Sequence, residues 1–243
     1  MLKLESVCYG YGKERPILRR VSFEIRCGEI VGIAGDSGCG KTTLCRLILG
    51  LLKPDEGEIF FEGEKVEKLR KRRKLHRSVQ MVSQNPETAF DPSRSMKYSL
   101  REMRCFVGRE ERAELLERIE RGRADFGLPE GSLKRRPEEL SGGQLQRFSI
   151  LRALLLRPKI LILDEVMSML DLPVQAAVLR LLLRMKEEGG FGYLMVSHDL
   201  ELLLQAADRI LFLEEGEVVH ESLRGEYGKD RYLKERLLEQ RLY

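Results

Sequence analysis

The sequence predicts an α/β domain built on a mainly parallel sheet, and three observations predict it. An apolar run from Ile30 to Ala34 leads into the glycine-rich stretch Gly35-Asp36-Ser37-Gly38-Cys39-Gly40, after which apolar residues take helical spacing. Continuous apolar runs return at Ile160 to Leu163, Tyr193 to Val196 and Ile210 to Leu213, the pattern of strands covered on both faces. Helical periodicity fills the segments between those later runs, so strand and helix alternate.

Taken in order, Leu2 to Leu4, Val21 to Ile25 and Ile30 to Ala34 are short apolar runs between turns and read as strands. Leu44, Leu47, Ile48 and Leu51 fall at i, i+3, i+4 and i+7, one stripe of an amphipathic helix that Pro54 and Gly57 end. Strand character resumes from Glu58 to Phe61, before a turn at Glu62-Gly63. From Asn85-Pro86 to Glu139 the chain is charged, poor in β-branched residues and rich in helix formers, as in Glu110 to Ile119. It reads as a helical insertion with turns around Gly122, Gly127-Leu128-Pro129 and Gly131. Helices are expected over Val174 to about Lys186 and over Leu200 to Ala207. At the end, Leu233, Leu237, Leu238 and Leu242 share helical spacing within Arg231 to Leu242, a helix expected to pack on the body.

Composition sets the class. The chain has 243 residues, 42% hydrophobic, enough for a sizeable core. Its net charge of +4, with 34% charged residues, excludes a disordered tail and the strongly basic balance of a general nucleic-acid binder. Cys8, Cys27, Cys39, Cys45 and Cys105 are odd in number and never form a CxxC pair, which suits free thiols in a reducing compartment. No apolar window reaches the length of a membrane span, and the start lacks the features of a signal peptide. The expectation is a cytoplasmic chain that meets a membrane only through partners. Arg70-Lys71-Arg72-Arg73-Lys74, with Arg77 beyond, lacks interleaved aromatics and is expected to be a solvated helix or loop.

Gly35 to Thr42 matches GxxxxGK[ST], the Walker A phosphate loop, in the strand-to-helix context that the motif requires. Its glycines let backbone N–H groups converge on phosphate oxygens at the positive end of a helix. Lys41 would bridge the β- and γ-phosphates of a nucleotide, and the Thr42 hydroxyl would coordinate Mg²⁺. Asp164, at the end of the run Ile160-Leu161-Ile162-Leu163, would complete the metal sphere as a Walker B acid. Glu165, one residue on, is placed to polarise an attacking water as general base. Cys39 lies inside the loop next to Lys41 and a helix start, two influences expected to lower its thiol pKa and leave it reactive without nucleotide.

Leu140-Ser141-Gly142-Gly143-Gln144, with Gln146-Arg147 following, resembles the LSGGQ signature of ATP-binding cassette (ABC) ATPases. The resemblance covers nearly the whole chain to about Glu221. It implies a P-loop NTPase fold: a RecA-like α/β core with an antiparallel β-subdomain and a helical subdomain. The whole chain, 1–243, is then one ABC nucleotide-binding domain: core 1–85 and 151–221, helical subdomain 86–150, C-terminal helical tail 222–243. Gly35, Asp36, Ser37, Gly38, Cys39, Gly40, Lys41, Thr42 and Thr43 would bind ATP, with Tyr11 stacking on adenine. Gln84 resembles the Q-loop glutamine, which touches both nucleotide and Mg²⁺ and joins Lys41, Glu165 and His198, the switch histidine, in catalysis. Ser141, Gly142, Gly143 and Gln144 would serve the ATP of an opposite subunit, and Ser168-Met169-Leu170-Asp171 resembles the D-loop, with Asp171 as its acid.

The family pattern thus implies a second ATPase subunit (identical or a paralogue), integral-membrane permease subunits, an extracytoplasmic solute-binding protein, and a place on the cytoplasmic face of the membrane with no nucleic-acid partner. Gln84-Asn85-Pro86 with Ala89-Phe90-Asp91-Pro92, and the run Asp164 to Gln175, resemble the dipeptide, oligopeptide and nickel importers; the short tail favours the nickel or metallophore side. Val166-Met167 and Met169 depart from the usual residues and are expected to alter packing where two subunits meet. Two other classes are weighed. A non-transport ABC ATPase on ribosomes or nucleic acid usually carries two cassettes or a long coiled coil, and a nucleotide-sensing regulator is expected to lose Glu165 or His198.

Overall fold

The computed structural model describes residues 1–12, 16–69 and 73–242. Two hairpin-linked strands, β1 (Leu2–Tyr9) and β2 (Leu18–Ile25), precede β3 (Ile30–Ala34) and α1 (Lys41–Ile48). Then come β4 (Glu56–Phe61), β5 (Glu64–Lys65), α2 (Val66–Leu69), α3 (Arg73–Ser78) and β6 (Val79–Val82). Between β6 and the next strand the chain is helical: α4 (Met96–Arg101), α5 (Arg109–Asp125) and α6 (Gly142–Leu154), joined by 3₁₀ turns. The remainder is β7 (Ile160–Asp164), α7 (Leu172–Gly189), β8 (Gly192–Val196), α8 (Leu200–Ala206), β9 (Arg209–Glu214), β10 (Glu217–Leu223) and α9 (Arg231–Leu242).

One sheet is antiparallel, in the order β2-β1-β4-β5; the other runs β10-β9-β3-β8-β7-β6, parallel from β9 to β6. Every residue of β3, β7 and β8 is buried, because helices or the antiparallel sheet cover both faces. Alternate residues of β7 feed two cores. Leu161 and Leu163 pack with the helices α6 and α7, while Ile160 and Ile162 pack with α1 and the antiparallel sheet. The parallel register sets Val82 beside Leu163, Asp164 beside Val196, and Ile33 beside Val196. Four strands therefore end together, and the loops that leave them share the carboxyl edge of the sheet, where open α/β sheets bind ligands.

The structure corrects three local expectations. Leu51 does not complete the α1 stripe: the helix stops at Ile48, Gly50 turns at positive φ, and Leu51 is exposed. Gly122 is no turn but lies inside α5, where a Cβ would meet Leu151 Cδ1 of α6 at 2.2 Å. Its bare backbone lets the two helices approach. Val166 and Met167 are buried in their own chain's core, so their packing effect is internal; the Met169 side chain lies outside the described residues. In the tail helix Leu233 is buried and Leu237 half-buried against the body, while Leu238 faces out. Among the described residues no helix is long and apolar enough to cross a membrane.

Candidate functional site

The loop from β3 to α1 is shaped by exclusion of side chains. A Cβ on Gly35 would lie 2.3 Å from the Leu213 carbonyl oxygen and 2.8 Å from Cys39 Sγ. Gly40, at φ +108 before α1, would strike Leu18 at 2.7 Å. Glycine is required at both places, by close approach at Gly35 and by left-handed backbone plus close approach at Gly40. The turn brings Lys41 back over the loop, where its Nζ donates to the carbonyls of Gly35 at 2.6 Å and Asp36 at 2.9 Å. No acidic residue occupies the first turn of α1, which leaves its positive end to an anion.

Asp164, Glu165 and His198 join this loop from two other strand ends. Thr42 Oγ1 donates to Asp164 Oδ2 at 2.9 Å, while the other carboxylate oxygen, Oδ1, is buried with no hydrogen-bond partner among the described residues. Burial pushes the Asp164 carboxyl above its ordinary pKa, Glu165 adds to the shift, and the Thr42 hydroxyl and Lys41 oppose it. Glu165 sits at φ +54, its N–H held by the Val196 carbonyl at 3.0 Å, so its side chain points back over the sheet edge. Its Oε1 lies 3.9 Å from Lys41 Nζ and its Oε2 2.8 Å from His198 Nδ1. Lys41, Glu165 and His198 thus form one chain of contacts, and Thr42 with Asp164 a second, held together because Lys41-Thr42 and Asp164-Glu165 are neighbours in sequence.

An orphaned buried carboxylate oxygen beside a hydroxyl suits a hard divalent cation, which takes oxygen ligands. Asp164 and Thr42 are therefore the residues that could hold Mg²⁺, and the glycine loop with Lys41 could hold phosphate.

The other expected residues stand at the rim or away from it. Gln84 is exposed two residues beyond the end of β6, and the carbonyl of its neighbour Ser83 accepts from the buried Gln146 Nε2 at 3.4 Å. Tyr11 is exposed, edge-on to Tyr9 at 5.1 Å, and its hydroxyl accepts from Arg46 of α1 at 3.5 Å. Ser141 caps α6: its Oγ accepts from Gln144 N at 3.3 Å and its N–H donates to Gln144 Oε1 at 3.2 Å. Among the described residues no hydrogen bond or ion pair joins Ser141, Gly142, Gly143 or Gln144 to the phosphate loop of the same chain. Asp171 caps α7 through Val174 N at 3.1 Å.

Cys39 departs from expectation. Its thiol is half-buried under Gly35, and burial raises its pKa against the opposing pull of Lys41. Burial wins here because charged thiolate loses more hydration than one neighbouring ammonium returns. Of the basic run, Arg70, Lys71 and Arg72 lie outside the described residues. Arg73 donates to the Cys105 carbonyl, Lys74 lies near Glu62 and Glu64, and Arg77 pairs with Glu111, so these side chains bind their own chain. A cavity of about 910 Å³ between α5, α6 and α7 contains none of the site residues. Sequence reasoning passed over Gln146 as a site-linking residue; its one signal is its place two residues beyond the signature.

Comparison with known proteins identifies the family. The ABC transporter family matches residues 18–168. The chain is 38% identical over 219 residues to the nickel import ATP-binding protein NikE of Escherichia coli strain K12, covering 89% of this chain and 82% of that one. NikE of Shigella boydii serotype 4 is 38% identical over 212 residues, 86% and 79% of the two chains. Among solved structures, the dimeric post-hydrolysis cassette MJ0796 with ADP and Pi aligns at TM-score 0.80 and 30% identity, covering 92% of this chain and 99% of that one. CbiO1 of Clostridium perfringens, part of the transporter complex cbiONQ, aligns at TM-score 0.83 and 28% identity over 99% and 95%. The chain belongs to the ABC transporter family, as one of its ATPase subunits.

Proposed function

We propose that this chain binds Mg-ATP at the glycine loop, hydrolyses it with a second ATPase subunit closed over the site, and so drives import of nickel or a metal chelate. The observation that carries the reading is the contact chain from Lys41 through Glu165 to His198, together with Thr42 on Asp164. Lys41 exchanges the Gly35 and Asp36 carbonyls for phosphate oxygens. Thr42 and Asp164, with Gln84 from the neighbouring strand end, hold Mg²⁺, which when bound neutralises charge on the phosphates. Glu165 accepts a proton from the attacking water, and His198, hydrogen-bonded through Nδ1, holds that carboxylate in place.

Tyr11 carries the adenine at the rim. Ser141, Gly142, Gly143 and Gln144, exposed or half-exposed at the start of α6 and, among the described residues, unconnected to their own phosphate loop, serve the ATP of the opposite subunit, with Asp171 at the junction. The residues from 86 to 150 form the helical subdomain, and permease subunits hold the chain at the cytoplasmic membrane face, with an extracytoplasmic solute-binding protein on the opposite side of the membrane. The nickel assignment rests on the named relatives. Its test is uptake of radiolabelled nickel by cells expressing the chain with its permease. Uptake should stop with Asp164→Asn, and purified Asp164→Asn should need more Mg²⁺ for ATP hydrolysis. Unchanged Mg²⁺ dependence would remove Asp164 from the metal site, and uptake of peptide but not nickel would overturn the solute.

A further inference from the structure

Helix α9 belongs to none of the motifs, yet its end lies beside the site. Asp230 anchors its start: Oδ1 accepts from Leu233 N at 3.1 Å, and Oδ2 accepts from His220 Nε2 at 2.8 Å and from the Ser222 hydroxyl. Tyr232 packs edge-on to Phe212 at 5.0 Å and donates to Glu214, which also pairs with Arg236. Buried Leu233 completes the attachment. These contacts fix α9 on β9 and β10 and aim its far end at the segment after β8.

There the Gln240 carboxamide makes two contacts of opposite polarity. Its Oε1 accepts from Leu200 N at 3.1 Å, and its Nε2 donates to the His198 carbonyl at 2.5 Å. Leu200 N belongs to the first turn of α8, whose amides the helix itself leaves unpaired. The segment's other restraints fall on His198's neighbours: Ser197 N donates to the Ile33 carbonyl at 3.1 Å, Asp199 N donates to Ser197 Oγ at 3.0 Å, and Asp199 Oδ1 accepts from Leu202 N at 3.0 Å as the cap of α8; among the described residues none of them engages the His198 carbonyl. The His198 side chain is 61% exposed, so packing does not set its ring. A cavity of about 480 Å³, walled by Gly35, Asp36, His198, Arg236 and Gln240, separates much of α9 from the loop.

We propose that Gln240 is a positioning residue: its two-point hold on the His198 carbonyl and the Leu200 amide sets the backbone from which the His198 imidazole reaches Glu165. The inference rests on the reading of Glu165 and His198 as the hydrolytic pair. An amide is the side chain suited to the task, because only a group with donor and acceptor at one end satisfies both backbone atoms.

The test compares the full-length wild type with Gln240→Ala, Gln240→Glu, His198→Ala and the double variant Gln240→Ala/His198→Ala. For Gln240→Ala, kcat for ATP hydrolysis should fall by about fivefold to tenfold while KM for ATP holds. Its melting temperature should move by less than about 4 °C, as expected when two hydrogen bonds near the surface are lost. Gln240→Glu keeps size and the acceptor for Leu200 N but sets an oxygen against the His198 carbonyl, so its kcat should fall at least as far. In the His198→Ala background, Gln240→Ala should cost nothing further, a coupling that a merely structural contact would not show. Wild-type kcat in Gln240→Ala, or the same loss with and without His198, would overturn the proposal. Wild-type hydrolysis by His198→Ala would instead overturn the underlying reading of the pair, so the two failures are distinct.

Discussion

Replacing Glu165 by Gln removes one charge and keeps the side chain's volume, so the response can be worked from the contacts of the two carboxylate oxygens. Oε1 lies 3.9 Å from Lys41 Nζ, and the two side chains are only 14% and 8% exposed. At an effective dielectric of about 20, unit charges at that separation attract by about 4 kcal/mol. That attraction holds Lys41 toward the carboxylate rather than toward a nucleotide, so its loss leaves Lys41 freer to turn to phosphate. ATP affinity should therefore be kept or rise. Hydrolysis has no such compensation, because an amide cannot take the proton of the water; loss of a general base costs about 10²–10⁴ in rate. Titration with a fluorescent ATP analogue, beside phosphate release from the same preparation, reads both quantities. Gel filtration with ATP should show the variant accumulating as a closed dimer. Hydrolysis at the wild-type rate would remove Glu165 from the base's role, and a large loss of affinity would refute the electrostatic argument.

Gly35→Ala should weaken nucleotide binding and lower thermal stability by about 1–3 kcal/mol, because the new methyl meets a backbone oxygen that cannot turn aside; isothermal titration and a melting curve check both. The Asp230 anchor carries a pH dependence. Burial would raise its carboxyl, but hydrogen bonds from Ser222 and His220 outweigh that and hold it at about 2. A depressed folded-state pKa adds about 2 kcal/mol of stability that is present above the ordinary carboxylate range and disappears as pH falls through about 2. Asp230→Ala should thus melt below wild type at neutral pH, and the gap should close as the solution is acidified through that window.

The chemistry was more legible in this sequence than its packing. Gly35 to Thr42 and Asp164-Glu165 are contiguous motifs whose spacing states their geometry, and the structure brings Lys41, Thr42, Asp164 and Glu165 together. His198 carries no local signal beyond its place after a strand, yet strand order puts it on Glu165. β6 and β10 escaped the reading, because β6 is a four-residue edge strand and β10, on the sheet's other edge, turns polar His220 and Ser222 inward while exposing Val219 and Leu223, so it shows no apolar alternation. Gly122 misled for a physical reason: glycine usually breaks a helix, whereas here its missing side chain admits Leu151. Cys39 misled because sequence shows a neighbouring lysine but not the depth of a thiol. Gln240 had no signal at all, since its partners are backbone atoms about forty residues away in the chain.

If the nucleotide site closes only between two chains, a single substitution at the signature reveals it. Gly142 opens α6 with nothing within 4 Å of where a Cβ would stand, so Gly142→Asp fits the isolated chain without a clash. In a head-to-tail pair its carboxylate would instead face the γ-phosphate bound to the other subunit, a like-charge contact that costs several kcal/mol. The measurement is nucleotide affinity of the isolated chain together with ATPase rate for Gly142→Asp, beside Lys41→Ala as the binding-defective control. With a site shared between two chains, Gly142→Asp keeps wild-type affinity, fails to dimerise with ATP and loses hydrolysis. A loss of affinity in the isolated chain equal to that of Lys41→Ala would place the signature on its own subunit's nucleotide and contradict the shared site.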